Sequence, residues 1–221
     1  MYRPLYSCYK NFSDRHERHL LNTIIRPGMT VVDVGANIGV YAEYFSHRVG
    51  KQGRVYAFEP SPQNFNILIK GKFNNVTCVN AALGDTTGEI TLFISDELNV
   101  DHRTYDTGEN RKTISIPSYR LDDYITGQRI DFIKMDIQGF EYNALQGMKT
   151  ILKNNPDIKL LLEFWPYGLK KAGSGPEEVV VFLQGLGFQT WLLEGKELKP
   201  CPPVPEEDGF RYYRNLFAAR R

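Results

Sequence analysis

Val31-Val32-Asp33-Val34-Gly35-Ala36-Asn37-Ile38-Gly39, followed by Arg54-Val55-Tyr56-Ala57-Phe58-Glu59-Pro60, decides the fold of this chain. The first stretch is an apolar strand running into a turn with two glycines and then a helix. The second is another apolar strand, closed by a carboxylate at the spacing of about 20 residues that marks a nucleoside-binding α/β unit. Gly35 permits a tight turn where a Cβ would clash, and Gly39 lets the helix start close to strand and ligand. A ligand is expected to meet bare backbone N–H groups at this turn. Glu59, an acceptor-only carboxylate, suits both hydroxyls of an unphosphorylated ribose and would repel a 2′-phosphate, which argues against NADP.

Asn37 occupies the place that a dinucleotide fingerprint gives to its second glycine, whose purpose is to admit a pyrophosphate. The pattern therefore points to an adenosine ligand without one, and S-adenosylmethionine (SAM) fits better than NAD. Its amino and carboxylate ends can use the Asp33 side chain and the amides of the turn, and its ribose can use Glu59. A Gly-x-x-x-Gly by itself is equally a plain tight turn; Asp33 and Glu59 together are what favour a ligand. The expected cofactor wall is Asp33, Gly35, Ala36, Asn37 and Gly39, with Glu59, Pro60 and Ser61 facing them.

The chain has 221 residues, enough for one α/β domain with a sizeable core, here taken as 1–221 with a short helical segment over 1–28. Its 27 basic and 26 acidic residues nearly cancel, which leaves no field for holding a polyanion and makes nucleic acid a poor partner. Cys8, Cys78 and Cys201 are scattered without metal-ligand spacing and read as free thiols. His16 and His19 lie one turn apart, but no acidic or cysteine cluster completes a metal shell, so no metal is expected. No apolar leader or long apolar span is seen, so the expectation is a cytoplasmic protein with no membrane partner. Oligomeric state is left open.

Asp14 and Glu17 have capping-box spacing ahead of Leu20, Leu21, Ile24 and Ile25, which predicts a helix ended by Pro27-Gly28 and leaning on the sheet edge. Strands are expected over 31–34, 55–58 and 76–83. Ser61-Pro62 opens a helix that turns Phe65, Leu68 and Ile69 inward. Strands over 89–95 and 113–117 flank a polar segment from Asp96 to Lys112, a candidate lid or acceptor-recognition loop. Ile130 to Asp136 and Ile158 to Phe164 are buried strands, with a helix from Gly139 between them. A helix from Pro176, strands over 188–193 and 212–218, and a stiff connector from Pro200 to Pro205 complete the chain. The alternation predicts a doubly wound, mostly parallel sheet with an inserted hairpin and loop.

With these pieces placed, the chain resembles the FkbM family of SAM-dependent methyltransferases over roughly Met29 to Asn215. The resemblance rests on Val-Asp-Val-Gly-Ala-Asn-Ile-Gly at 32–39, Phe-Glu-Pro at 58–60, Asn-Ala-Ala-Leu-Gly-Asp at 80–85, Leu-Asp-Asp-Tyr at 121–124 and Asp-Phe-Ile-Lys-Met-Asp-Ile-Gln-Gly-Phe-Glu at 131–141. It implies the class I methyltransferase fold, a seven-stranded sheet with one antiparallel strand in the last hairpin, and methyl transfer to an oxygen, often of a sugar or secondary metabolite. It also implies that Asp33, Gly35, Asn37 and Gly39 hold the methionine half of SAM, Glu59 the ribose, and Asn80-Ala81 the adenine edge. Asp136 would stand beside the reacting methyl. Gln138 departs from the family's usual glutamate, so no mechanism can rely on a carboxylate there.

A hydroxyl acceptor gains from losing its proton as it attacks, and Asp136, His102 and Glu163 are the candidate bases, carried by adjacent strand ends and the overhanging loop. The reading assigns Asp136 to orienting acceptor or cofactor and His102 to taking the proton. The acceptor is expected to be a small molecule or glycan. Two rival readings are an NAD-dependent oxidoreductase on the same topology and a non-catalytic SAM-fold binding protein, the latter favoured only by Gln138.

Overall fold

A computed structural model describes residues 10, 12–95, 102–106, 108, 110–202 and 213–220. The first half of the chain alternates α1 (Arg15–Ile24), β1 (Thr30–Val34), α2 (Val40–Val49), β2 (Arg54–Phe58), α3 (Pro62–Leu68) and β3 (Val76–Val79). A small sheet follows, made of β4 (Ala82–Leu83), β5 (Gly88–Ile94) and β6 (Lys112–Tyr119) in the order β4-β6-β5. The second half contains α4 (Leu121–Tyr124), β7 (Phe132–Met135), α5 (Glu141–Gln146), α6 (Lys149–Asn154), β8 (Lys159–Phe164), α7 (Pro166–Lys171) and α8 (Pro176–Gly185). It ends with β9 (Gln189–Glu194), β10 (Glu197–Pro200) and β11 (Arg214–Ala219).

The main sheet has the order β10-β9-β11-β8-β7-β1-β2-β3. Strands β3, β2, β1, β7 and β8 are parallel neighbours, and β11 lies antiparallel between β8 and β9. The doubly wound sheet and its antiparallel last strand match expectation, but the described residues hold eight strands in it instead of seven. The extra strand, β10, arises because Gly195-Lys196 makes a two-residue turn between the paired Glu194 and Glu197. Pro200 ends this edge strand, where a missing N–H is tolerated. The rest of the expected connector, from residue 203, lies outside the described residues.

Because side chains alternate along a strand, the parallel core strands bury both faces. Val32, Val34, Ile133, Met135, Leu160 and Leu162 pack on one face with Leu145, Leu152, Val180 and Leu183 from α5, α6 and α8. Val31, Phe132, Leu161 and Phe217 pack on the other with Leu21, Tyr41, Phe45 and Val49. Helix α1 therefore covers the middle of a sheet face, not the edge. Its expected capping box is absent: Asp14 is the N-cap but makes no side-chain cap bond.

Two further expectations change. The strand expected over 76–83 divides at Asn80-Ala81, because the Asn80 amide donates to the Glu59 and Pro60 carbonyls at 2.8 and 3.1 Å and pins the chain there. Ala82-Leu83 then crosses to pair with Ser118-Tyr119. The helix from Gly139 breaks into α5 and α6, where the Asp122 carboxylate accepts the N–H groups of Thr150 and Ile151 at 2.9 and 2.8 Å and starts a new helix. Ser61 does cap α3, accepting from the Asn64 N–H at 3.5 Å, but Ile69 falls beyond its end and is exposed. Cys78 and Cys201 are free thiols; Cys8 lies outside the described residues. Among the described residues no helix is long and apolar enough to cross a membrane.

Candidate active site

The carboxyl ends of β1, β2, β7 and β8 open into a cavity of about 820 Å³. This is the crevice where an open α/β sheet changes winding direction and binds ligands. One wall is the run Val34-Gly35-Ala36-Asn37 with Phe58-Glu59-Pro60 and Ala81. Gly35 has φ 82°, and a Cβ there would collide with the Asp136 carbonyl, so the turn can approach β7 this closely only as glycine. Asn37 holds φ 51° with its own Oδ1 accepting the Ile38 N–H at 2.6 Å.

The bare amides expected at this turn are not there. Gly35 and Ala36 N–H groups donate to the Phe58 carbonyl at 3.0 and 2.9 Å, and Gly39 N–H donates to the Ala36 carbonyl at 2.9 Å. Asn37 N–H donates to Glu59 Oε2 at 2.8 Å, while Ser61 N–H donates to Oε1 at 2.9 Å. The turn thus supplies shape, and Glu59 supplies the chemistry. The Asn64 side chain adds a third hydrogen bond to this carboxylate, and the acceptor capacity left over is what it offers to a ribose hydroxyl. Burial raises the Glu59 carboxyl to about 7, against the pull of the Ser61 and Asn37 amides.

Asp33 stands one residue before the lining run, 1% exposed, and neither carboxylate oxygen has a partner among the described residues. Burial raises it to about 7. An unpartnered buried carboxylate is costly, and an ammonium group is the ligand chemistry that relieves it. Gly39, Ser61 and Asn80 do not line the cavity: Gly39 opens α2, and Ser61 and Asn80 brace the turn around Glu59. The adenine-edge role implied for Asn80 is therefore not supported by its side-chain amide, which faces backbone carbonyls.

The opposite wall gathers Lys134, Asp136, Gln138 and Glu163. Lys134 is 4% exposed, with Nζ 3.3 Å from Asp136 Oδ2 and 4.4 Å above the Tyr41 ring. Burial alone would lower Lys134, but Asp136, Glu17 and Asp33 hold it above its usual range. Burial is the largest influence on Asp136 and works against its ionised form, yet the charges of Lys134 and Lys10 and the hydrogen bonds from Lys134 and Gln138 together keep that carboxyl low. Glu163 is pushed well above the carboxylate range, by burial and by the charges of Asp136 and Glu141. Asp136 and Glu163 thus line one wall of the cavity, with their carboxyls pushed in opposite directions.

His102 also lines the cavity, and its Nδ1 accepts the Ser95 N–H at 3.1 Å. With Nδ1 accepting, Nε2 is the nitrogen left to carry the ring proton, and it is enclosed by the protein. Of the candidate loop, 96–101, 107 and 109 lie outside the described residues. Sequence reasoning overlooked a third wall. Tyr41 places its hydroxyl 2.8 Å from Glu17 Oε2 and 3.1 Å from Asp14 Oδ2, and Asn215 donates to Glu17 Oε1 at 2.9 Å. The available signal was Tyr41 itself, a polar-tipped residue on α2 that needs a partner when buried.

This fold is the one that SAM-dependent methyltransferases share. The chain belongs to the methyltransferase FkbM domain family, whose pattern matches residues 33–190. It is 26% identical over 144 residues to "Methyltransferase 1" of Beauveria bassiana, covering 53% of this chain and 57% of that one. It is 25% identical over 177 residues to "Methyltransferase sdnD" of Sordaria araneosa, covering 63% and 67%. The first match therefore spans little more than half of that relative. In fold the chain is similar to a SAM-dependent O-methyltransferase of Thermotoga maritima, with TM-score 0.53, 13% identity and coverage of 93% and 64%. It is also similar to precorrin-6y C5,15-methyltransferase of Geobacter metallireducens, with TM-score 0.50, 16% identity and coverage of 93% and 87%.

Proposed function

We propose that the chain transfers a methyl group from SAM to a hydroxyl of a small polar acceptor, a sugar or secondary metabolite. One observation carries this reading: Glu59 and the Asp136–Glu163 pair face a common cavity, of a volume at the upper end for small-molecule sites. When bound, SAM supplies a sulfonium-activated methyl that an acceptor oxygen takes up as S-adenosylhomocysteine leaves. Glu59 would accept the ribose hydroxyls, Asp33 would offset the ammonium group, and the apolar run of Pro60, Ala81, Leu83 and Phe140 would lie along the adenine.

Asp136, held ionised by Lys134, accepts the hydroxyl proton and directs the oxygen lone pair. Its low basicity means that orientation contributes more than proton abstraction. Glu163, protonated, donates to the acceptor. The base role first given to His102 passes to Asp136 because the Ser95 amide occupies Nδ1. Trp165, with the Arg103 guanidinium 5.2 Å from its ring centre, offers a flat face at the same wall.

Calorimetric titration with SAM, with NAD alongside, tests the cofactor assignment. We expect SAM alone to bind, and Glu59→Ala to weaken it by about tenfold or more, the worth of two charge-assisted hydrogen bonds. Preferential binding of NAD would overturn the reading. Incubation with methyl-labelled SAM and a panel of hydroxylated compounds, read by mass, then tests the acceptor class; label on nitrogen or carbon in place of oxygen would refute it.

A further inference from the structure

Gln138 stands two residues after Asp136 with φ 59°, and among the described residues only Asn37, across the cavity, is another non-glycine residue at positive φ. Asparagine enters this region readily because its short side chain bonds locally; glutamine has no such aid. The Tyr105 hydroxyl secures the conformation by donating to the Gln138 carbonyl at 2.7 Å. From behind, Glu141 accepts the Ile137 N–H at 3.1 Å. Such strain persists where the surroundings over-determine it, and it collects at functional sites.

The strained backbone carries the side-chain amide between two carboxylates. Nε2 lies 3.2 Å from Asp136 Oδ1, and 2.9 and 3.2 Å from Glu163 Oε2 and Oε1. The two acids are not served equally, since Asp136 also has Lys134 at 3.3 Å on its other oxygen. Other charged or titratable groups face the pair from every side. They are Asp33 from β1, Glu141 from α5, Lys10 and Glu17 from α1 and the residues before it, and Tyr213 ahead of β11. Arg103 and Arg214 line the same cavity.

We propose that Gln138 is a positioning residue whose amide, by bridging Asp136 and Glu163, helps Lys134 to hold Asp136 as the ionised carboxylate that meets the acceptor hydroxyl while Glu163 keeps its proton. The inference rests on the methyl-transfer reading. As the acceptor oxygen forms its bond to the methyl carbon and the carbon–sulfur bond breaks, the hydroxyl proton passes to Asp136. The Glu163 proton stays where it is, as a hydrogen-bond donor. A neutral amide is the group that can donate to both acids without adding charge. A carboxylate at 138 would set a third acid beside Asp136 and Glu163, and a thioether would remove the donor.

The test is a carbon-13 NMR titration of the Asp and Glu side-chain carboxyls in the wild-type protein, Gln138→Met and Gln138→Glu, with signals assigned by Asp136→Asn and Glu163→Gln. In the wild type, Asp136 should be ionised and Glu163 protonated through neutral pH. Both Gln138 variants should raise the Asp136 midpoint by about one pH unit. The acid limb of the methyl-transfer pH profile should move with it, which a merely structural role would not produce. Unmoved midpoints in variants whose near-UV circular dichroism is native would overturn the proposal; if Gln138→Met does not fold, Gln138→Glu decides alone. Failure of the wild type to bind SAM would instead strike the methyl-transfer reading, while the carboxyl titration would still answer for Gln138.

Discussion

Burial holds the carboxyls of Asp33 and Glu59 at about 7, so a ligand that prefers them ionised must displace protons. Ribose hydroxyls and an ammonium group have that preference. SAM affinity should therefore rise several-fold between about pH 6 and pH 8, with proton release on binding. Calorimetry in two buffers of different ionisation enthalpy measures that release directly. Glu59→Gln should both weaken binding and flatten the pH dependence; an equally steep dependence in the variant would assign the protons elsewhere. At this scale the sequence was a good guide to where Glu59, Asp136 and Glu163 lie, since strand-end position brings all three to the cavity, whereas Asp33 sits one residue behind its lining. The sequence was a poor guide to hydrogen-bond partners. The turn amides pair with Phe58 and Glu59, and His102 with Ser95, through folds of the chain that no local pattern encodes.

Arg220, one residue after β11, shows how the elements are tied together. Its guanidinium donates to the carbonyls of Leu152, Asn155 and Leu186 at 2.8, 3.2 and 3.0 Å and lies 3.9 Å from the centre of the Phe188 ring. It thereby satisfies carbonyls at the ends of α6 and α8, where helices leave acceptors unpaired. Arg220→Ala should cost about 2 kcal/mol of stability in urea unfolding, from lost charge-assisted bonds and cation–π contact. Arg220→Lys should recover little of it, because an ammonium cannot reach several carbonyls in one plane. An unchanged urea midpoint in Arg220→Ala would show that the termini of α6 and α8 are satisfied without it. The elements themselves were legible wherever the apolar period was long: β1, β2, β7, β8 and α8 fall within a residue or two of expectation. Short-range signals with two meanings failed. Asp14 and Glu17 have capping-box spacing, yet both carboxylates face the Tyr41 hydroxyl, since satisfying a buried phenol outweighs one exposed cap. The Gly195-Lys196 hairpin was not legible, because Gly-Lys lacks the second turn-forming residue of the strong two-residue hairpin signals.

For the molecule as a whole, Asp33, Glu59 and Glu141 all sit near 7 and Glu163 is pushed well above the ordinary carboxylate range, each mainly through burial. A carboxyl whose folded value exceeds its unfolded value of about 4 binds more protons in the native state over the interval between them. Its contribution is fully present below the unfolded value and is lost as pH rises through the folded one. Asp136, held low, works in the opposite sense, but one such group is outnumbered. Without ligand the protein should therefore melt at higher temperature near pH 5.5 than near pH 8, by several degrees for a net change of about 2 kcal/mol. Calorimetric scans across that range measure it. Saturating SAM should narrow the gap, because a ligand that stabilises ionised Asp33 and Glu59 offsets their desolvation just where the free protein is weakest. Combining Asp33→Asn with Glu59→Gln should flatten the free protein's profile in the same range and abolish the effect of SAM on it. If the double variant kept the full decline towards pH 8, the decline would belong to Glu141 and Glu163, and the cofactor wall would carry no share of the molecule's pH dependence.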